Sequence, residues 1–156
     1  MTNAPGAGGC QCGAVRFSVS GPLGRPSICH CRMCQKAFGG PYGALVSAPE
    51  GVTWTRGTPS YFQSSNRARR GFCATCGTPL TFESDDGPVE LAIAVFDHTA
   101  DITPVIQHAR ADRLAWTDAT AALPVRTPHE AAQAAGYYAS IVSRQHPDHD
   151  TPAWPR

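Results

Sequence analysis

No apolar run in the 156 residues approaches the roughly 20 that a membrane-spanning helix needs, so no membrane partner is expected. Charge is also scarce. Only 16% of residues are charged, and 13 Lys and Arg against 12 Asp and Glu leave a formal net charge of +1. That balance argues against a basic nucleic-acid surface and against an acidic disordered chain. Residues 1–9 have neither the basic segment nor the apolar stretch of a secretion leader, and a cytoplasmic location is the expectation. Internal repeats and low-complexity tracts are absent too. What the chain does have is 42% hydrophobic residues, enough for a core, with 15 Gly and 14 Pro that point to many turns and short strands.

It also has seven cysteines, an odd number that leaves any complete disulfide framework one thiol short. Without a secretion leader, such cysteines point to metal rather than to disulfides. They fall in three blocks. Cys10 and Cys12 form a C-x-C beside glycines, Cys29, Cys31 and Cys34 lie within six residues, and Cys73 and Cys76 form a C-x-x-C closed by Gly77. C-x-x-C spacing lets two sulfurs converge on one ion. Two readings of the middle block stand on spacing alone. It is an open site with three protein ligands and a free position, or a closed structural knuckle completed by His30 or a distant cysteine. The seven split into four plus three if Cys10/Cys12 join Cys73/Cys76. A rival split joins Cys31/Cys34 to Cys73/Cys76 as a zinc ribbon, across a spacer of 38 residues, 35–72, against about 15–20 in the compact pattern.

Pattern along the chain predicts a mainly β molecule. Residues 14–19 alternate, with Val15, Phe17 and Val19 on one face. Residues 42–48, 52–55, 60–63 and 79–83 read as further short strands, and 89–96 as a buried apolar strand. A helical turn is expected from the middle cysteine block to Phe38, ended by Gly39 and Gly40, its N-terminus favouring thiolates. Residues 98–104 read as a loop, and 105–116 fit no element clearly. Thr127-Pro128-His129-Glu130 matches a capping box, and Ala131, Ala135, Tyr138 and Val142 recur at helical spacing. The expected organisation is a flexible start over 1–8, a zinc domain over 9–126, a helix over 127–144 and a fraying tail over 145–156.

The three blocks Cys10–Gly13, Cys29–Gly39 and Arg70–Leu80 carry the order C-x-C-G, C-H-C-x-x-C-x-K-x-x-G and R-x-F-C-x-x-C-G-T-P-L. In this the chain resembles the glutathione-dependent formaldehyde-activating enzyme family, also called the centromere-protein-V-like family. Asp97 and the segment from Pro104 to His108 resemble the family's later strands. The resemblance covers about residues 8–118, short of the C-terminal helix. It implies a zinc-stapled β-tent fold with a short helical turn at the metal site. It implies two zinc ions per chain, one structural on Cys10, Cys12, Cys73 and Cys76, the other labile on Cys29, Cys31 and Cys34. It further implies a carbon–sulfur lyase or synthase that joins formaldehyde to glutathione as S-hydroxymethylglutathione, or acts on a related thiol adduct.

Such a site needs more than its thiols. Glutathione brings two carboxylates, for which Arg32, Lys36, Arg67, Arg69 and Arg70 are the candidate partners. His30, between two ligands, is the candidate proton shuttle, with a hydrogen-bonding role beside the ligands as the alternative. His108, Trp54, Trp116, Tyr137 and Tyr138 are expected to be packing residues, and Asp97 to order a turn. The competing functions are a non-catalytic glutathione or zinc carrier and a zinc-ribbon interaction module.

Overall fold

The computed structural model describes residues 6–153. Ten strands form two sheets, neither closed into a barrel. β1 (Gly6–Gly9), β2 (Arg16–Val19) and β5 (Val52–Arg56) make a three-stranded antiparallel sheet in the order β1-β2-β5. The larger sheet adds β3 (Ser27–Cys29), β4 (Gly43–Ser47), β6 (Ser60–Ser65), β7 (Ala68–Phe72), β8 (Pro79–Ser84), β9 (Glu90–Ala92) and β10 (Ile106–His108), in the order β10-β3-β4-β9-β8-β7-β6. Among the described residues, only the β10–β3 pair is parallel. The expected mainly β architecture, with cysteine clusters placed to hold zinc, is the one observed.

The alternation read at Val15, Phe17 and Val19 puts all three in the core between the sheets, with Val46, Leu80 and Leu91. Phe17 meets the edges of Trp54 and Phe96, with ring centroids 6.0 and 5.2 Å away. This close approach depends on Gly8. A Cβ there would lie 2.3 Å from the Val95 carbonyl oxygen and 2.6 Å from the Phe17 ring. β1 therefore begins inside the stretch expected to be flexible, while residues 1–5 lie outside the described residues.

α1 (Arg32–Phe38) starts where expected. The Cys31 side chain caps it by accepting a hydrogen bond from the Cys34 N–H, and Gly39 ends it with φ 61°, in the left-handed region. The strand expected over 89–96 is shorter. β9 stops at Ala92, and Ile93–Val95 form a 3-10 turn that carries Phe96 off the sheet to meet Phe17. A continuous apolar run fits either course.

β3, β7 and β10 were not read from the sequence. β7 hid in an arginine-rich stretch, and the other two are three residues long, too short to establish a period. α2 (Pro128–Ala139) has its capping box, with Thr127 and Glu130 each bonding the other's backbone, but ends at Ala139 rather than near Arg144. Ser140 closes it, its hydroxyl donating to the Tyr137 carbonyl, and the β-branched Ile141 and Val142 follow. Trp54 packs as expected, whereas Trp116, Tyr137 and Tyr138 are exposed.

The tail corrects a further expectation. His146 is 3% exposed, its N–H donates to the Gln11 carbonyl, and its ring meets Arg56 and Thr151. Asp150 reaches Arg16, which also forms a bidentate pair with Asp97 at 2.8 and 2.6 Å. Residues 145–151 are thus docked on the domain rather than frayed.

Candidate metal centre

None of the seven cysteines is joined in a disulfide, and they gather in two clusters. Cys10 and Cys12 sit on the turn between β1 and β2, and Cys73 and Cys76 on the turn between β7 and β8. Their four Sγ atoms lie within 4.8 Å of one another. The Cys10–Cys12 and Cys12–Cys73 sulfurs are 3.6 and 3.9 Å apart. Four sulfurs arranged tetrahedrally about 2.3 Å from one ion stand about 3.8 Å apart, so the donor set and its spacing fit zinc. Gly77, with φ 77°, lets the second turn fold back on itself. Burial pushes the Cys10 thiol up to about 12 despite the Val15 N–H that it accepts. Burial also acts on Cys76, but the Thr78 hydroxyl and neighbouring N–H groups outweigh it and hold that thiol at about 6. A cation shared by the four sulfurs would relieve the buried thiols.

The second cluster, Cys29, Cys31 and Cys34, has the same compactness but only three donors. β3 supplies Cys29, and the start of α1 supplies the others. Burial pushes Cys34 up to about 12, opposed by Arg70, whose Nη2 donates to the sulfur across 3.3 Å. On Cys31 burial is outweighed by N–H donors of α1, chiefly that of Cys34, so this thiol is lowered. Three thiols with an open side fit a metal that keeps one exchangeable position.

That open side faces a cavity of about 300 Å³. The three cysteines and Met33 form one wall. Ser27, Leu45, Phe82, Arg70, Glu90 and His108 complete it from the larger sheet. Arg70 is 8% exposed, lies over the Phe82 ring at 4.9 Å, and has no hydrogen-bond partner for Nε or Nη1. A buried guanidinium with unused donors, in a cavity, is suited to an anionic group.

Of the five basic residues predicted to bind substrate, Arg70 alone lines this cavity. Arg67 pairs with Asp85 and Asp86 on the surface, and Arg69 with Glu83 while lying over Tyr61. Arg32 bonds Gln35, and Lys36 is exposed. His30 is buried but lines a different recess with Tyr42, Gln107 and Arg110, and its Nε2 meets Gln107. Strand alternation explains this, since neighbours of a cavity-facing Cys29 point the other way. His108, expected to be structural, lines the cavity instead, and Glu90 and Phe82 had no sequence signal of a site. Only the pairing register brings them there: Cys29 is opposite His108, and Phe82 is opposite both Arg70 and Glu90.

With this geometry in view, comparison with known proteins is informative. The model of the glutathione-dependent formaldehyde-activating enzyme family matches residues 6–112. The chain belongs to that family. A protein of Halomonas elongata, provisionally named a glutathione-dependent formaldehyde-activating enzyme, is 34% identical over 82 residues, 47% of this chain and 52% of that protein. An uncharacterized lyase of Schizosaccharomyces pombe is 29% identical over 80 residues, 51% of this chain and 58% of that protein. The chain thus spans about half the length of the curated relatives it matches. A crystal structure of a Rhodobacter sphaeroides protein shares the fold, with TM-score 0.51 and 24% identity over 65% of this chain and 98% of the other.

Proposed function

We propose that this protein is a zinc-dependent carbon–sulfur lyase that reversibly joins formaldehyde, or a related aldehyde, to the thiol of glutathione. The observation that carries the reading is the three-cysteine cluster with its open side on a cavity that also holds Arg70. Family membership supplies the reaction class. Cys10, Cys12, Cys73 and Cys76 would hold a structural zinc. Cys29, Cys31 and Cys34 would hold a second, exchangeable one. A zinc ion with an open position deprotonates a coordinating thiol, which is otherwise mostly protonated at pH 7.

The chain's own residues then have distinct tasks. Arg70 offers its unused donors to a glutathione carboxylate and compensates the negative charge of three thiolates. Met33, Leu45 and Phe82 give the cavity an apolar lining that limits water beside the thiol. Holding thiol and aldehyde together there supplies proximity, which is worth more in this addition than strong polarisation of the carbonyl. A cytoplasmic site of action agrees with seven cysteines outside any disulfide and with a glutathione substrate.

The test is metal content with turnover. Wild-type protein is expected to carry two zinc ions per chain, and Cys31→Ser to carry one, stay folded and lose activity. Excess glutathione should put its sulfur into the coordination shell of the second zinc, or strip that zinc first, seen by X-ray absorption and elemental analysis. An unchanged sulfur shell and zinc content under excess glutathione would identify a closed binding module instead. Turnover no faster than the uncatalysed reaction would leave a carrier.

A further inference from the structure

Two titratable groups in the thiol cavity, Glu90 and His108, have no task in this reading, and only Glu90 is half-buried. Glu90 lies on β9, and the register places it, Phe82 and Arg70 in a row across three adjacent strands. All three line the cavity, so their side chains share one face of the sheet. The thiols approach that face from β3 and α1. Among the described residues, nothing hydrogen-bonds to the Glu90 carboxyl or pairs with it at contact distance. It is half-buried beneath the space where thiol and aldehyde would meet.

We propose that Glu90 is the general acid–base of this site, moving one proton from the substrate thiol to the aldehyde oxygen. This rests on the reading that a thiol meets formaldehyde in the cavity. In the forward direction the carboxylate takes the thiol proton. The sulfur lone pair forms the C–S bond, the π pair of the carbonyl moves onto oxygen, and that oxygen takes the proton back from Glu90. Thiol plus aldehyde gives the hydroxymethyl thioether, Glu90 ends as it began, and no oxidant or reductant is needed. Cleavage is the same path in reverse.

Burial raises the Glu90 carboxyl above its ordinary range, and His108 and Arg70 oppose the shift. A carboxyl moved toward the working pH both accepts and releases a proton more readily than an exposed one. The groups facing it are Arg70 from β7, His108 from β10, Cys29 from β3, and Cys31 and Cys34 from α1. A guanidinium cannot shuttle protons near neutral pH, and the three thiols are the metal donors. His108 is exposed, at the rim.

The experiment compares wild type, Glu90→Gln and Glu90→Asp, all zinc-loaded. Formation and breakdown of S-hydroxymethylglutathione are followed against pH after subtracting the uncatalysed rate. Zinc content and melting temperature are measured alongside. The expected result for Glu90→Gln is a loss of about 10²–10⁴-fold in kcat, unchanged zinc content, and disappearance of the rate's rise on the acid side. Glu90→Asp should restore that rise and part of the rate. Glu90→Gln with wild-type kcat and the same acid limb overturns the role of Glu90 and leaves the lyase reading standing. Wild type no faster than the uncatalysed reaction overturns both.

Discussion

Arg16 shows how much one buried residue can require. Its side chain is 3% exposed, and its charge is met by Asp97, 8% exposed, and by Asp150, 66% exposed. The two carboxylates are not equivalent. Breaking a buried pair leaves an uncompensated charge and costs about 3–5 kcal/mol, whereas an exposed partner contributes about 0–1 kcal/mol. Asp97→Asn is therefore expected to lower stability severely and Asp150→Asn only slightly, as read by urea denaturation. Equal effects from the two would contradict this ranking. The local sequence around Asp97 suggests only a residue that orders a turn. Its link to Arg16 spans 81 residues and leaves no mark on the local pattern.

At the scale of elements, the tail stands apart from the helix before it. α2 buries no residue, while residues 145–151 dock beside the β1–β2 turn. His146 Nδ1 faces the Pro147 carbonyl and so carries the proton, leaving Nε2 to accept from Arg56 and Thr151. Burial lowers this histidine below its ordinary 6.5, with Arg16 and Arg56 adding to the effect and the Pro147 carbonyl opposing it. A histidine lowered in the docked state binds fewer protons there than when free. Its contribution is thus complete above about pH 6.5 and is lost as pH falls below that value. Tail cleavage in limited proteolysis should be faster at pH 5.5 than at pH 7.5, with protease rates normalised on an unfolded peptide. His146→Phe should abolish the difference. Equal normalised rates for wild type at the two values would show that the docking does not depend on His146 protonation.

For the molecule as a whole, the four-cysteine cluster pins a turn of one sheet to a turn of the other. Cys10 and Cys12 belong to a turn of the three-stranded sheet, and Cys73 and Cys76 to a turn of the larger one. An isolated strand bridge, Gly8 to Phe96, the Arg16–Asp97 pair and the core around Phe17 connect them as well. Structural zinc supplies about 10–16 kcal/mol in small zinc-finger peptides, while whole domains are stable by about 5–15 kcal/mol. Cys73→Ser should unfold the protein or separate the sheets, visible in near-ultraviolet circular dichroism and in zinc content. Cys31→Ser should not, because its cluster lies within one sheet and the helix beside it. A soluble Cys73→Ser protein with the wild-type melting temperature would rule out the staple.

The two candidate metal clusters were legible in the sequence because cysteine spacing is a local property. Three blocks within short windows, flanked by glycines that permit sharp turns, mark the candidate ligands, and the structure gathers them as four and three. The β2 alternation, the Gly39 stop of α1 and the capping box at Thr127 were equally local and appear as read. The choice between the open cavity residues and a solvated face was not local. Arg69 and Arg70 are sequence neighbours, yet the pleat sends one to the surface and the other beneath the thiols. His30 and Cys29 part in the same way. Glu90, Phe82 and His108 carry no motif and meet the cysteines only through strand register, which sums over the whole sheet. A side-chain period of two makes one residue's shift of register exchange the faces, so the candidate ligands follow from the sequence while the cavity around them is decided by the assembled sheet.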